Sequence, residues 1–382
     1  MFNTSYIEIS RKAYRSNIRY LKKIIGKAAF SSVVKGNAYG HGVHNIVPLA
    51  EEAGIFHFSV FSAKEASEML EVLSEKSKIM IMGLLDDPEI EWAIENGIEF
   101  FVFDHGRLQK AIETARKMNL RARLHIEVET GFNRTGFEYP DIGALMAYLK
   151  QHRAHFEFRG LCTHYAGAES LANYLRIKNQ LSQFRKFNRY FVRHDLLPEL
   201  RHTACSAAAL TYPNTIMDMV RFGIAQYGFW PSPETKMFRF RKGTAEKSPL
   251  NRMLSWKSKV MVVKQVEAGN FIGYGSSYLA NRKMKVAIIP VGYANGFSRA
   301  LSNTGRVLIR GRRVPVIGTV TMNTMTVDVT GLPGVERGDE VVMIGRQKRM
   351  NISISSFCEL SEQLNYQLLT RLPADIPRLI VP

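Results

Sequence analysis

The sequence predicts an α/β chain, a (β/α)8 TIM-type barrel followed by a mostly β domain, and three observations carry that reading. Eight short apolar runs alternate with segments of helical periodicity between Phe30 and Gly228. After Lys247 the texture changes to alternating β-branched residues and turns. The length of 382 residues suits two domains at roughly 100 to 200 residues each.

The eight runs are Phe30–Val34, His57–Phe61, Lys78–Met82, Glu99–Phe103, Ala122–Val128, Glu157–Thr163, Leu200–Ala204 and Met217–Phe222. The segments between them repeat at helical spacing. Over Ala63–Leu70, for example, Ala66, Met69, Leu70 and Leu73 share one face, and before the first run Tyr14, Ile18, Leu21 and Ile25 form a similar stripe. Strand and helix alternating eight times within about 200 residues have the size and order of a barrel. In the second domain, Arg306–Ile309 and Val314–Ile317 flank Arg310-Gly311-Arg312-Arg313 as a hairpin, and Thr319–Met322 and Met325–Val329 alternate like strands. The expected division is a barrel over residues 10–240 and a β domain over 245–382, to which residues 1–9 can add. The basic, proline-containing stretch Pro231–Pro249 reads as the linker.

Composition narrows the class. Apolar residues at 46% and charged residues at 23% are ordinary for a globular protein and exclude disorder and low complexity. No apolar run approaches the ~18 residues of a membrane span, and the start lacks a signal-peptide pattern, so a cytoplasmic protein without membrane partners is expected. Cys162, Cys205 and Cys358 are few, odd in number and widely spaced, which fits reduced thiols and neither a disulfide framework nor a metal knuckle. The net charge is +18. Its densest stretches, Arg239-Phe240-Arg241-Lys242 and Arg346-Gln347-Lys348-Arg349, are short and lie where loops are expected. No nucleic-acid-binding motif accompanies them, so a solvated basic surface is the reading.

In a barrel, chemistry sits at the C-terminal ends of the strands, and phosphates are commonly held by the loops after strands seven and eight. The first run ends in Val33-Val34-Lys35-Gly36-Asn37-Ala38-Tyr39-Gly40-His41-Gly42. Burial there favours the neutral, nucleophilic amine of Lys35; a lysine that snorkels to the barrel rim is the alternative on position alone. Loop seven supplies Cys205-Ser206-Ala207-Ala208 and loop eight Arg221-Phe222-Gly223-Ile224. Hydroxyl and backbone N–H donors there suit a phosphate. Arg221 is a permanent cation that can donate to a ring nitrogen without giving up a proton. Lysine, phosphate cradle and ring partner are the parts of a pyridoxal 5'-phosphate site.

At these residues the chain resembles the alanine racemase family. Val34 to Gly42 resembles its cofactor-attachment motif. The likeness continues through Thr130-Gly131-Phe132-Asn133-Arg134-Thr135-Gly136, Thr163-His164-Tyr165-Ala166, Cys205 to Ala208, Arg221 to Gly228, Gly273-Tyr274-Gly275-Ser276-Ser277-Tyr278, Pro290 to Gly296 and Thr321-Met322-Asn323. The resemblance implies a pyridoxal phosphate-dependent racemase with two bases, Lys35 on one face of the substrate Cα and Tyr274 on the other, the tyrosine coming from the second subunit of a homodimer. It places His164 against the tyrosine and Arg134 near the cofactor's phenolic oxygen and the substrate carboxylate. Arg221 faces the pyridine nitrogen. Tyr39, Ser206, Gly223 and Ile224 match phosphate contacts, Met322 a backbone donor to the substrate carboxylate and Tyr293 an entrance residue. The implied product is D-alanine for peptidoglycan.

The sequence also departs from the family's pattern. Glu127 stands where many relatives have a carbamylated lysine, and its carboxylate offers the same negative charge to hold Arg134. Asn323 replaces an aspartate, and near Pro373-Ala374-Asp375 Ala374 replaces a tyrosine at the phosphate and substrate pocket. A racemase of broader or different specificity, for serine or larger side chains, is therefore the second reading. A non-catalytic pyridoxal phosphate-binding protein is the third, disfavoured by Tyr274 and the β domain. Gly273-Tyr274-Gly275 is not at a strand-to-helix turn and does not read as a nucleotide loop. His41 with His44, and His152 with His155, lack a third ligand for a metal.

Overall fold

The computed structural model describes residues 3–240, 248–354 and 365–382, and the chain divides into two compact units. One holds residues Ala13–Lys35 and Ile46–Arg252; the other holds the N-terminal residues up to Lys12, Gly36–Asn45 and the chain from Met253 onward. The polypeptide thus passes from one unit to the other at the Lys35–Gly36 peptide bond.

Strand β1 (Ser5–Ser10) belongs to the second unit. The first unit is the barrel, built from β2 (Ala29–Val33), β3 (His57–Val60), β4 (Lys78–Ile81), β5 (Glu99–Val102), β6 (Ala122–Glu127), β7 (Phe156–Cys162), β8 (Leu200–His202) and β9 (Met219–Phe222). Every one of the eight expected apolar runs is a strand. They pair in parallel in the order β8-β7-β6-β5-β4-β3-β2-β9. The ring closes between β8 and β9 through Asp218 N–H to Arg201 O and Arg221 N–H to Ala204 O, each 3.0 Å, beside a bridge of Cys205 to Arg221. Both faces of such strands are covered, so they read as continuous apolar runs, as Glu99–Val102 does with all four residues buried.

The helical stripes pack as their spacing demands. Tyr14, Ile18, Leu21 and Ile25 of helix Arg11–Ile25 are all buried. Helix Ala63–Leu70 starts at Ser62, whose Oγ accepts from Glu65 N–H, and it buries Ala66 and Met69. Leu70, expected on that face, closes the last turn and is 40% exposed. The stretch read as a linker is helical over Pro233–Phe240. Ser232 caps it by accepting from Thr235 N–H at 3.0 Å, while the Glu234 carboxylate accepts from Leu171 N–H and Ser170 Oγ. Residues 241–247 lie outside the described part, as does Cys358; Cys162 and Cys205 are free thiols.

The second unit is one ten-stranded sheet among the described residues. Its further strands are β10 (Leu254–Lys259), β11 (Val262–Val266), β12 (Met284–Ile289), β13 (Arg306–Ile309), β14 (Arg312–Ile317), β15 (Met325–Asp328), β16 (Glu340–Gln347), β17 (Met350–Ile352) and β18 (Arg378–Val381), in the order β11-β12-β15-β14-β13-β16-β10-β1-β18 with β17 on β16. The expected hairpin is tighter than its sequence suggests. Arg310 and Gly311, with φ of 51° and 81°, form a two-residue turn between β13 and β14, the mirror-type turn whose twist suits paired strands. Thr319–Met322 is a loop and not a strand, because Thr321 N–H and Oγ1 both turn back to Thr324 O. No helix among the described residues is long and apolar enough to cross a membrane.

Candidate active site

Parallel pairing brings the C-terminal ends of all eight barrel strands to one rim, and most of the sequence-predicted site residues of this unit follow those ends. Lys35 lies just after β2, Arg134 in the loop after β6, His164 after β7 and Ser206 after β8; Arg221 is on β9, with Gly223 and Ile224 beyond it. Lys35 remains reachable from solvent, yet the barrel wall around its amine and the nearby Arg134 and Arg221 push its pKa down, with Glu65 opposing. Half-buried His164 is pushed down to about 3 by burial and by Arg221, Arg134 and Lys35, so its imidazole is neutral at neutral pH.

Arg221 is 4% exposed and thoroughly anchored. Its Nη1 donates to His202 Nδ1 and, at 2.7 Å, to His202 O, while Nη2 donates to Thr163 O at 2.8 Å. One guanidinium thereby ties the ends of β7, β8 and β9. Loops seven and eight are joined by Ser206 Oγ, which accepts from Gly223 N–H at 3.1 Å and Ala225 N–H at 3.4 Å. The N–H of Gly223 is thus used within the protein, leaving the Ser206 hydroxyl proton as a donor toward the rim.

The loop carrying Arg134 is organised by Glu129, which lies outside the Thr130 to Gly136 motif. Its carboxylate accepts the backbone N–H groups of Gly131, Phe132, Asn133 and Arg134. Partial burial raises the Glu129 pKa, but these bonds outweigh it and hold the group below the usual carboxylate range. The signal was an acidic residue two places before a glycine, which a tight turn needs. The Arg134 guanidinium lies over the Phe132 ring, 4.4 Å from its centroid. Glu127 does not hold Arg134 as expected. It is buried, accepts from Thr135 Oγ1 at 2.7 Å and forms no ion pair with Arg134 among the described residues. Burial pushes its pKa up, against the pull of Thr135, Arg221 and Arg134.

Gln226 and Tyr227 lie within Arg221 to Gly228, and nothing in their sequence context announces what they do. Gln226 Nε2 donates to Val33 O and Phe222 O at 3.0 and 2.9 Å, its Oε1 accepts from Tyr14 and Ser32, and Tyr227 Oη adds a second donor to Val33 O at 2.9 Å. This clamp fixes the strand end two residues before Lys35.

Tyr39, Tyr274, Tyr293 and Met322 belong to the second unit. Tyr39 follows Lys35 in a left-handed turn: Gly36, Asn37, Ala38, Tyr39 and Gly40 have φ between 52° and 77°, closed by Gly40 N–H to Gly36 O at 2.9 Å. Such backbone costs ~1–2 kcal/mol per non-glycine residue. A Cβ at Gly40 would collide with Leu369 O, so glycine is required there. Tyr274, Tyr293 and Met322 come together in one loop cluster of the sheet: Tyr274 O accepts from Thr319 Oγ1 at 3.1 Å, Tyr293 N–H bonds Thr321 O at 3.0 Å and Ala294 N–H bonds Met322 O at 2.9 Å. Their side chains are 74%, 44% and 55% exposed. Three large exposed side chains thus share one loop cluster.

The comparisons decide the family. Models of the N-terminal and C-terminal domains of alanine racemase match residues 9–231 and 253–380. The chain belongs to the alanine racemase family. It is 36% identical to the alanine racemase of Symbiobacterium thermophilum, over 98% of this chain and 96% of the relative, and 33% identical to that of Leptospira interrogans, over 99% and 96%. Among solved structures it superposes on alanine racemase from D-cycloserine-producing Streptomyces lavendulae with a TM-score of 0.90 at 30% identity, covering 100% of this chain and 98% of that one. The alanine racemase of Bartonella henselae, solved with covalently bound pyridoxal phosphate, matches with a TM-score of 0.86 at 26% identity, covering 99% and 100%.

Alanine racemases depend on pyridoxal phosphate, and the barrel rim suits it. Burial, together with repulsion among Lys35, Arg134 and Arg221, lowers the amine's pKa there. An anionic group at the rim compensates them, and the Ser206 hydroxyl adds a neutral donor for a phosphate.

Proposed function

We propose that Lys35 and Tyr274 are the two bases with which this chain, a pyridoxal phosphate-dependent isomerase by its family, interconverts L- and D-alanine. The observation that supports the reading most is the Lys35 amine at the end of β2, its pKa lowered by burial and by two arginines. The electron sink that acidifies the Cα–H comes from pyridoxal phosphate. Lys35 would hold it covalently, and its free amine would move a proton at Cα on one face. Tyr274 from a second copy returns a proton to the other, and removal and return on opposite faces inverts the centre. Arg134 binds the substrate carboxylate with the backbone of Met322, and neutral His164 bonds the phenol. Arg221 would donate to the ring nitrogen without protonating it. Ser206, Ile224 and Tyr39 hold the phosphate, framed by Gly223. Tyr293 stands at the entrance.

The exposed Tyr274, Tyr293 and Met322 cluster supports a homodimer in which each site combines a barrel from one copy with this cluster from the other. The cytoplasm suits a chain with free thiols making D-alanine for peptidoglycan. A second reading, broader specificity, is favoured by Ala374: its methyl is exposed on a turn that Arg378 pins through Pro373 O and Ala374 O, each at 2.8 Å. The shared site is tested by subunit exchange between Lys35→Ala and Tyr274→Phe proteins, each nearly inactive alone. Random exchange makes about half the dimers mixed and restores about a quarter of all sites under two-fold symmetry. Activity that stays at the single-variant background after verified exchange refutes the shared site.

A further inference from the structure

The barrel interior carries a run of polar side chains that the two-base reading leaves unused. Glu99 is 1% exposed, and His125 and His202 are fully buried. They are joined end to end. His125 Nε2 lies 2.8 Å from Glu99 Oε2, His125 Nδ1 lies 2.8 Å from His202 Nε2, and His202 Nδ1 accepts from Arg221 Nη1. At the far end Arg159 Nε, at 3.0 Å, and His57 Nε2, at 3.3 Å, also approach the Glu99 carboxylate. The backbone makes room for the run: a Cβ on Gly160 would clash with His125 Nδ1 and stand 2.8 Å from His202 Nε2, and the β6–β7 register shifts between Leu124 and His125.

Only one arrangement of protons satisfies these contacts. A guanidinium only donates, so His202 Nδ1 is a lone pair and its Nε2 carries the proton. That N–H needs a lone pair on His125 Nδ1, which leaves His125 Nε2–H to donate to the carboxylate. A second proton on either ring would set N–H against N–H, so both imidazoles are neutral. Burial pushes both histidines down, and the Arg221 charge pushes His202 further. Every ring nitrogen already has a hydrogen-bond partner, and among the described residues no His, Cys, Asp or Glu group is arranged to hold a metal.

We propose that Glu99, His125 and His202 are positioning residues for Arg221, a directed relay in which the carboxylate sets both histidine tautomers so that a neutral His202 offers Arg221 an acceptor and never a proton. The proposal rests on Arg221 being the partner of the ring nitrogen. With Nη1 held by His202 and Nη2 by Thr163, the guanidinium cannot swing away and let water reach that nitrogen. The carboxylate charge polarises the run toward the arginine.

The test uses the holoenzyme in three variants, with near-ultraviolet circular dichroism confirming the fold. Glu99→Gln leaves one amide oxygen for donors on both sides, so its NH2 faces an N–H and the tautomers are no longer set. Gly160→Ala separates the two rings without changing charge and covers the case in which Glu99→Gln fails to fold. Arg221→Lys is the reference for loss of the ring partner. In 15N spectra of histidine-labelled protein, His202 in the unsubstituted enzyme shows one protonated and one unprotonated nitrogen. Both relay variants alter that pair of signals, and they shift the absorption of the bound cofactor in the same direction as Arg221→Lys. Their kcat falls about tenfold with KM within about twofold, the scale of one lost charge-assisted hydrogen bond. Folded relay variants with unchanged His202 signals overturn the proposal, as do altered signals with an unshifted cofactor spectrum when Arg221→Lys shifts it. An unshifted spectrum in Arg221→Lys itself refutes the ring-partner reading, and the relay's purpose with it.

Discussion

Replacing Gln226 by leucine keeps the side chain's size and removes four hydrogen bonds. The loss is not four equal terms. Val33 O keeps the Tyr227 hydroxyl at 2.9 Å, whereas the Tyr14 and Ser32 hydroxyls and Phe222 O each lose the partner that Gln226 supplied. All of this is buried. The two hydroxyls still have each other, so each loses ~1 kcal/mol, whereas Phe222 O is stranded at ~1–3 kcal/mol; less ~1–2 kcal/mol gained by burying leucine in place of an amide, Gln226→Leu should destabilise by about 2 kcal/mol. At roughly 2–4 °C per kcal/mol for a unit of this size, Tm should fall by roughly 4–8 °C. Tyr227→Phe should cost only ~1 kcal/mol, because Val33 O then keeps Gln226. The double variant strips both side-chain donors from Val33 O and should exceed the sum of the single losses by ~1–3 kcal/mol. Thermal melts of the four proteins at matched protein and cofactor concentration read this directly. A Gln226→Leu loss under ~1 kcal/mol, or a double variant additive within ~0.5 kcal/mol, would refute the clamp.

Borohydride reduction followed by peptide mapping should label Lys35, and a label on another lysine removes the basis of the mechanism. In cofactor-free protein the Lys35 pKa lies below its unfolded value, so the unfolded chain binds the extra proton and stability rises with pH through that window. Lys35→Met should therefore raise the apo Tm by about 1–3 °C near pH 7, a figure kept small by solvent access, and the gain should fade by about pH 10.5; an equal gain at both values would show that charge is not the cause. For Ala374→Tyr, the ratio of serine to alanine racemisation should fall several-fold as the phenol refills the pocket. Unchanged relative rates would show that this position does not set specificity.

The barrel was legible because each strand is buried on both faces and reads as a short apolar run bounded by turns. The same averaging hid its interior. Ser31, Glu99, His125 and His202 sit in or beside runs whose mean character is apolar, and nothing in their spacing announces that they meet. The helix Pro233–Phe240 is hidden by its proline and basic residues, and the anchoring of Glu234 by Leu171 depends on distant chain. Lys35, Ser206 and Arg221 were legible because strand ends mark the barrel rim. The support of Arg134 was not. Charge complementarity favours Glu127 for that part, whereas the loop is built on Glu129 and Phe132. The sheet's edge is also nonlocal, since β1 lies between β10 and β18.

The position of Lys35 along the chain sets a timetable for synthesis on the ribosome. Strand β2, which leads into it, pairs on one side with β3 and on the other with β9, which ends at Phe222. The turn that follows it is tied to residues that emerge still later, because Arg378 donates to Gly40 O through Nε and Nη2 at 3.2 and 3.1 Å. Until β9 leaves the exit tunnel, β2 is an open edge able to pair wrongly. The nascent lysine therefore reaches its working surroundings only near the end of translation, and premature termination leaves it exposed on an unfinished sheet.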